Sequence, residues 1–168
     1  MNPRNPRLRA LAALLVATFA AACDSDDVAP TDPVPEALAG SWEASPDCPA
    51  CEFSVTLTST GQVISLLEPP ISASIEIDIA TGGGFVMRAE LYGQKFTSAG
   101  TARTDGPTVY ITLPTGAVDT ATYSLSGSTL TLEYKNEIRS IDFDGQPGAD
   151  PGRVKAVLRR MTPSLNRQ

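Results

Sequence analysis

Three cysteines, a scatter of carboxylates and no histidine set the chemistry open to this 168-residue chain. Cys48 and Cys51 stand in the spacing Cys48-Pro49-Ala50-Cys51, which serves zinc, thiol exchange or a short disulfide depending on compartment. One such pair supplies only two metal ligands, and no histidine is present to add to it. Thiol exchange wants the pair at the start of a helix that lowers a thiol pKa, whereas here a proline-containing loop leads into a β-like run. The favoured reading is a Cys48–Cys51 disulfide formed in an oxidising envelope, pinning a loop between the first two strands.

The segment Asp142-Phe143-Asp144-Gly145-Gln146-Pro147-Gly148-Ala149-Asp150 is the other stretch with chemical promise. Asp142, Asp144 and Asp150 with two glycines could cradle a hard cation such as calcium through oxygen ligands. No Glu closes the segment where the helix–loop–helix calcium pattern needs one, and Pro151 occupies that neighbourhood. A polar turn before the last strand is the simpler reading. Catalysis finds less support still. Without histidine, Ser-His-Asp, Cys-His and His-metal arrangements are excluded. Glu76 and Asp78 share one strand face and read as solvated, and Gly82-Gly83-Gly84 lacks the Lys and helix of a phosphate loop. The chain is expected to be non-catalytic, with no catalytic residue and no cofactor.

The N-terminus carries the strongest local signal. Met1 to Arg9 is basic, and Ala10 to Ala22 is an uncharged stretch rich in Ala and Leu, too short for a bilayer span of about 20 apolar residues. It reads as a signal helix, with the signal peptide ending at Ala22. Ala20, Ala21 and Ala22 directly before Cys23 resemble the lipobox of bacterial lipoproteins, with Ala20 in place of the usual Leu. That resemblance implies that Cys23 is acylated, with chains such as palmitate, and becomes the new N-terminus; the alternative is an ordinary secretory cleavage that leaves Cys23 free. Two or more acyl chains would hold the protein stably on a membrane. Asp24 resembles the inner-membrane retention signal of enterobacterial lipoproteins, a rule that other phyla do not share.

Residues 23–37 read as a lipidated, acidic and proline-containing tether. From Asp24 to Leu38 the chain has four Asp, one Glu and three Pro, too little apolar surface to pack and a bias towards extended backbone. Arg4, Arg7 and Arg9 fall in the segment to be removed, so the remainder keeps 10 Lys and Arg against 19 Asp and Glu. That surface argues against nucleic acid and anionic headgroups as partners. The basic run Arg153, Lys155, Arg159, Arg160 and Arg167 stands out against it, either as the outward face of a last strand beside acidic neighbours or as a docking site for an acidic partner.

The elements that must position these groups are strands. Ile71 to Ile79 alternates strictly, with Ile71, Ala73, Ile75, Ile77 and Ile79 on one face and Ser72, Ser74, Glu76 and Asp78 on the other. Phe53–Thr58, Phe85–Leu91, Thr108–Leu113, Thr120–Leu125 and Thr129–Tyr134 show the same period. Weaker candidates are Gln62–Leu67, Lys95–Arg103, Glu137–Phe143 and Val154–Arg160. Turn residues separate the runs at Ser59-Thr60-Gly61, Gly82 to Gly84, Gly93-Gln94, Asp105-Gly106-Pro107, Pro114-Thr115-Gly116 and Ser126-Gly127. Such a meander of about 8–10 short strands is predicted to be all-β, an antiparallel up-and-down barrel, with a β-sandwich as the alternative.

Leu38-Ala39-Gly40-Ser41-Trp42, followed by Phe53–Thr58 and the Gly61 turn, resembles the opening of lipocalin-like lipoprotein domains. The hairpin from Tyr123 to Leu132 and the closing run Val154–Arg160 are similar to their later strands. The resemblance spans residues 38–161 and implies an up-and-down barrel with Trp42 packed near its base as a core residue, leaving 162–168 as a tail. Two functions follow as expectations. One is a lipid-anchored envelope lipoprotein, its domain outside the cytoplasm, binding a small apolar ligand in a barrel lined by Ile75, Ile77, Phe85, Met87, Ile111 and Leu132. The other is a protein-binding envelope module, an inhibitor or assembly factor, with a filled barrel. Alternation alone does not separate a hollow barrel from a filled one.

Overall fold

The computed structural model describes residues 33–138 and 151–162. The signal segment, Cys23, most of the tether and the acidic stretch with Asp142, Asp144 and Asp150 lie outside the described residues. Ten strands follow in order: β1 (Gly40–Ala44), β2 (Glu52–Leu57), β3 (Val63–Ser65), β4 (Ser74–Ile79), β5 (Gly84–Leu91), β6 (Gln94–Asp105), β7 (Thr108–Thr112), β8 (Val118–Ser126), β9 (Thr129–Ile138) and β10 (Gly152–Arg160). All pairings are antiparallel, and no strand run exceeds what a period-2 reading allows. The sheet closes because β1 pairs with β10, Trp42 opposite Arg160 and Glu43 opposite Arg159. Closure makes the fold a barrel and not the sandwich alternative, and it leaves few free edges.

Ten strands make eight staves. β1 and β2 lie along the same edge of β10, so they are two halves of one stave interrupted at residues 45–51. β3 and β4 are the two halves of the next, interrupted at 66–73. Ala44 sits opposite Ile75 and Ser54 opposite Ser65, so the two interruptions face each other and the register on either side is the same. Cys48 and Cys51 are disulfide-bonded within the first interruption. The second is closed by the Ala73 N–H donating to the Leu66 carbonyl at 2.7 Å. This interruption corrects the long strand read from Ile71: the ladder begins at Ser74, although Ile71 and Ala73 remain buried. Of the weaker candidate Glu137–Phe143, Glu137 and Ile138 belong to β9, and residues 139–143 lie outside the described residues.

Alternation does the sorting between core and solvent. Trp42, Val55, Ile77, Val109, Leu130, Leu132 and Leu158 are among the largest fully buried side chains and belong to one contiguous apolar cluster. The outward faces carry charge: Arg88 of β5 pairs with Glu76 at 3.4 Å and with Asp78, both on β4. The Ser41 hydroxyl at 2.5 Å and then Arg88 hold the Asp78 carboxyl below the usual carboxylate range. On β10, Lys155 pairs with Glu52 at 2.8 Å and Arg159 with Glu43. The basic run of the last strand therefore lies beside acidic strands.

Because the strands form a meander, the turns divide between two ends. One end gathers the start of β1, the turns at 80–83, 106–107 and 127–128, and the end of β10; the other gathers the turns at 58–62, 92–93 and 113–117. The first end is plugged. Val34 and Leu38 are buried, the Thr104 hydroxyl donates to the Pro33 carbonyl at 3.2 Å, and the Trp42 indole N–H donates to the Leu38 carbonyl at 3.0 Å. The Arg160 guanidinium lies 4.2 Å from the centroid of the Trp42 ring and donates to the Ala37 and Ala39 carbonyls. Gly40, at φ +139°, is required beneath it, since a Cβ there would come within 2.7 Å of the guanidinium.

Candidate functional site: the unplugged end of the barrel

Inward positions along β6 are Phe96, Ser98, Gly100, Ala102 and Thr104. Ala102 and Thr104, towards the plug, are buried, whereas Phe96, Ser98 and Gly100, towards the other end, are only half-buried. Leu113, just past the end of β7, and Asn136 on β9 are half-buried at the same end. Gly100 also lets β6 and β7 run unusually close, because a Cβ there would lie 2.3 Å from the Thr112 carbonyl oxygen. Among the described residues, inward positions at this end are thus less buried than those beside the plug; the connection from β9 to β10, which joins its strands at this same end, lies outside the described residues.

One ionisable group faces the interior here. Asp119 is the second residue of β8, opposite Ile111 in the β7 ladder, and is only 6% exposed. Its period-2 partners Ala121, Tyr123 and Leu125 are the apolar face of the strand. Burial pushes its carboxyl up to about 7, and a hydrogen bond with Asn136 pulls more weakly the other way. Tyr134, buried on the same face of β9, has its phenol raised above the usual value by burial and by the neighbouring Asp119. An irregularity in the β9–β10 ladder, between the pairs of Arg153 with Glu137 and of Lys155 with Glu133, carries this part of β9. The irregularity adds two residues to β9 and leaves its parity unchanged, so Tyr134 and Asn136 continue the inward alternation of Leu130 and Leu132 and face Asp119.

The residues anticipated to line a ligand cavity are brought together. Ile75, Ile77, Phe85, Ile111 and Leu132 are buried and Met87 packs partly buried against them, all within the one core cluster. Asp119 was not anticipated, although an acid in register with Ala121, Tyr123 and Leu125 is a visible signal in the sequence. Among the described residues no group of three or more metal-ligating side chains occurs.

Around the same end lie the three exposed large hydrophobic side chains of the described chain: Val63 beside the β2–β3 turn, Tyr92 in the β5–β6 turn and Val118 after the β7–β8 turn. Two depressions mark the outer wall. One, of about 530 Å³, sits over the ladder irregularity among Thr122, Glu133, Lys135, Arg153 and Lys155. The other, of about 380 Å³, lies among Glu43, Glu76, Arg88, Glu90 and Lys95. The first is also lined by Tyr134 and Val154 and the second by Ala44, Ile75, Ala89 and Phe96, and Asp119 lines neither.

No protein-family model matches the chain, and no curated protein matches it. Among solved structures, the chain is similar to the lipoprotein YedD from Klebsiella pneumoniae subsp. pneumoniae, at 14% identity and a TM-score of 0.43, covering 84% of this chain and 85% of that one.

Proposed function

We propose that the chain is a lipid-anchored, non-catalytic envelope lipoprotein whose lipocalin-like barrel receives a small apolar ligand through the end opposite its anchor. The observation that carries this reading is the contrast between the two ends: one plugged by Val34, Leu38 and Trp42, the other bordered by half-buried inward residues at Phe96, Ser98 and Gly100. Ligand sites in small barrels lie at such mouths, with an apolar wall and few polar groups. The anchor rests on the sequence, in the signal segment and the Ala20-Ala21-Ala22-Cys23 junction. Since Pro33 lies at the plugged end, an acylated Cys23 would leave the mouth facing away from the lipid surface. The nine residues between them would span about 30 Å if extended.

The anchor is tested by the intact mass of membrane-extracted protein, with and without reduction. The expected species is residues 23–168 plus acyl chains, two hydrogens heavier after the Cys48–Cys51 disulfide is reduced. An unacylated soluble species overturns it. Ligand uptake is tested by calorimetric titration with 1-octanol. Saturable binding is expected in the natural protein and is lost when Ser98→Phe fills the mouth. No saturable binding, or binding indifferent to that substitution, overturns it.

A second reading has its own observation. Val63, Tyr92 and Val118 form an apolar fringe on three hairpin tips at one end, the arrangement a protein-binding module would present. Under that reading Tyr92→Ser and Val118→Ser abolish partner capture, and octanol does not bind.

A further inference from the structure

The apolar-ligand reading leaves a carboxyl group unexplained. Asp119 is nine-tenths buried and faces inward, and among the described residues its polar neighbours are the Asn136 amide, which is hydrogen-bonded to it, and the Tyr134 phenol. An amide N–H satisfies one lone pair but supplies no charge, and a buried carboxylate without a countercharge is costly. Among the described residues, no cation of the chain reaches it. Arg88, Lys95, Arg103, Lys135, Arg153, Lys155 and Arg159 occupy outward positions of their strands. Lys135, on β9 itself, donates outward to Thr108, and Arg160 is committed to Trp42 and two carbonyls at the opposite end. Among the described residues, the inward neighbours of Asp119 are otherwise apolar or neutral: Ile111 on β7 with Ala102 beyond it on β6, Ala121 on β8, and Tyr134 and Asn136 on β9.

Resting on the proposed uptake of an apolar ligand, we propose that Asp119 is the head-group site of the barrel and that it selects ligands carrying a protonated amine on an apolar body. An ammonium supplies the missing countercharge and can donate to the carboxylate and to Asn136 Oδ1. The hydrocarbon lies along Ile111 and the core behind it. A carboxylate-bearing ligand meets like charge in the same place, and an alcohol gains hydrogen bonds but no ion pair.

The test compares three probes of equal length, octylammonium, 1-octanol and octanoate, by calorimetric titration of the full-length protein at pH 7.5. Octylammonium is expected to bind at least tenfold more tightly than octanol, and octanoate more weakly than either. In Asp119→Asn, an isosteric change, the preference for the amine over the alcohol should vanish while octanol affinity stays within twofold, which also reports an intact barrel. Equal affinity for octylammonium and octanol in the natural protein, or an amine preference that survives Asp119→Asn, overturns the assignment and leaves apolar uptake standing. If none of the three binds, both the uptake reading and this one fail.

Discussion

Replacing Asp119 by Asn should flatten the dependence of stability on pH between 5 and 8. The folded chain holds this carboxyl at about 7, against an ordinary value of 3.8. A raised folded pKa means that the folded state binds the extra proton, so the stabilisation is complete below the unfolded value and is lost as pH rises through the folded one. The displacement corresponds to about 4 kcal/mol in all, and about 2.5 kcal/mol of it falls between pH 5 and pH 8. Glu52 and Asp78 do not obscure the window. Both are held below their ordinary values, Glu52 by Lys155 and then Ser54, Asp78 by Ser41 and then Arg88. Their stabilisation is present above the unfolded values and lost as pH falls below about 4. Urea unfolding followed by Trp42 fluorescence measures the difference. With a slope of about 1.5 kcal/mol per molar urea for a domain of this size, the natural protein should lose more than 1 M in midpoint from pH 5 to pH 8, and Asp119→Asn much less. A midpoint that rises over this range, or an equal loss in the variant, would refute the argument that Asp119 is a buried acid without a countercharge.

Other outcomes follow from the plug and the loops. Trp42→Ala should cost about 3–5 kcal/mol through the cavity it leaves, and Arg160→Ala about 2 kcal/mol through the lost ring stacking and two carbonyls left without their donor, both read as urea midpoints. Gly40→Ala should destabilise by about 1–3 kcal/mol, because it combines a positive φ with a contact at the Arg160 guanidinium; Gly61→Ala, also at positive φ but with open space around it, should cost less. Reduction of Cys48–Cys51 should lower stability by only about 2 kcal/mol, since the loop it closes is short, and should leave the far-ultraviolet circular dichroism of the barrel unchanged.

The strands were largely legible because each has one wet and one dry face. Ile75, Ile77 and Ile79, or Leu130 and Leu132, announce their orientation by parity, and glycine or proline marks most turns. The staves were not legible. Residues 45–51 and 66–73 read locally as ordinary connections between successive strands, and only long-range pairing with β10 reveals that each interrupts a single stave. Ile71 and Ala73 misled for a related reason: they are buried in phase with β4 without pairing in its ladder. Arg160 reads as one more surface cation until β1 and β10 meet and bring Trp42 beneath it. At the candidate site the apolar wall followed directly from alternation. Asp119 was passed over because an acid at the start of a run resembles a turn residue, and its inward direction becomes evident only when the strand is extended back from Thr120 to Val118.

The facing interruptions of the first two staves impose a rule on how this barrel can vary. Inward positions fall on even numbers in β1, at Trp42 and Ala44, but on odd numbers in β2, at Phe53, Val55 and Leu57. The intervening loop therefore inverts the parity of the stave, and the loop opposite does the same for its neighbour. A one-residue slip of β2 or of β4 against its partners would turn that half of a stave inside out, exposing Phe53 and Val55 or Ile75 and Ile77. Residues 45–51 and 66–73 stand outside the ladders, so their lengths can change while the strand pairings keep Ala44 on Ile75 and Ser54 on Ser65. The pair thus forms a window in the barrel wall whose size can change while the core behind it is kept, a natural place to graft a longer pair of loops.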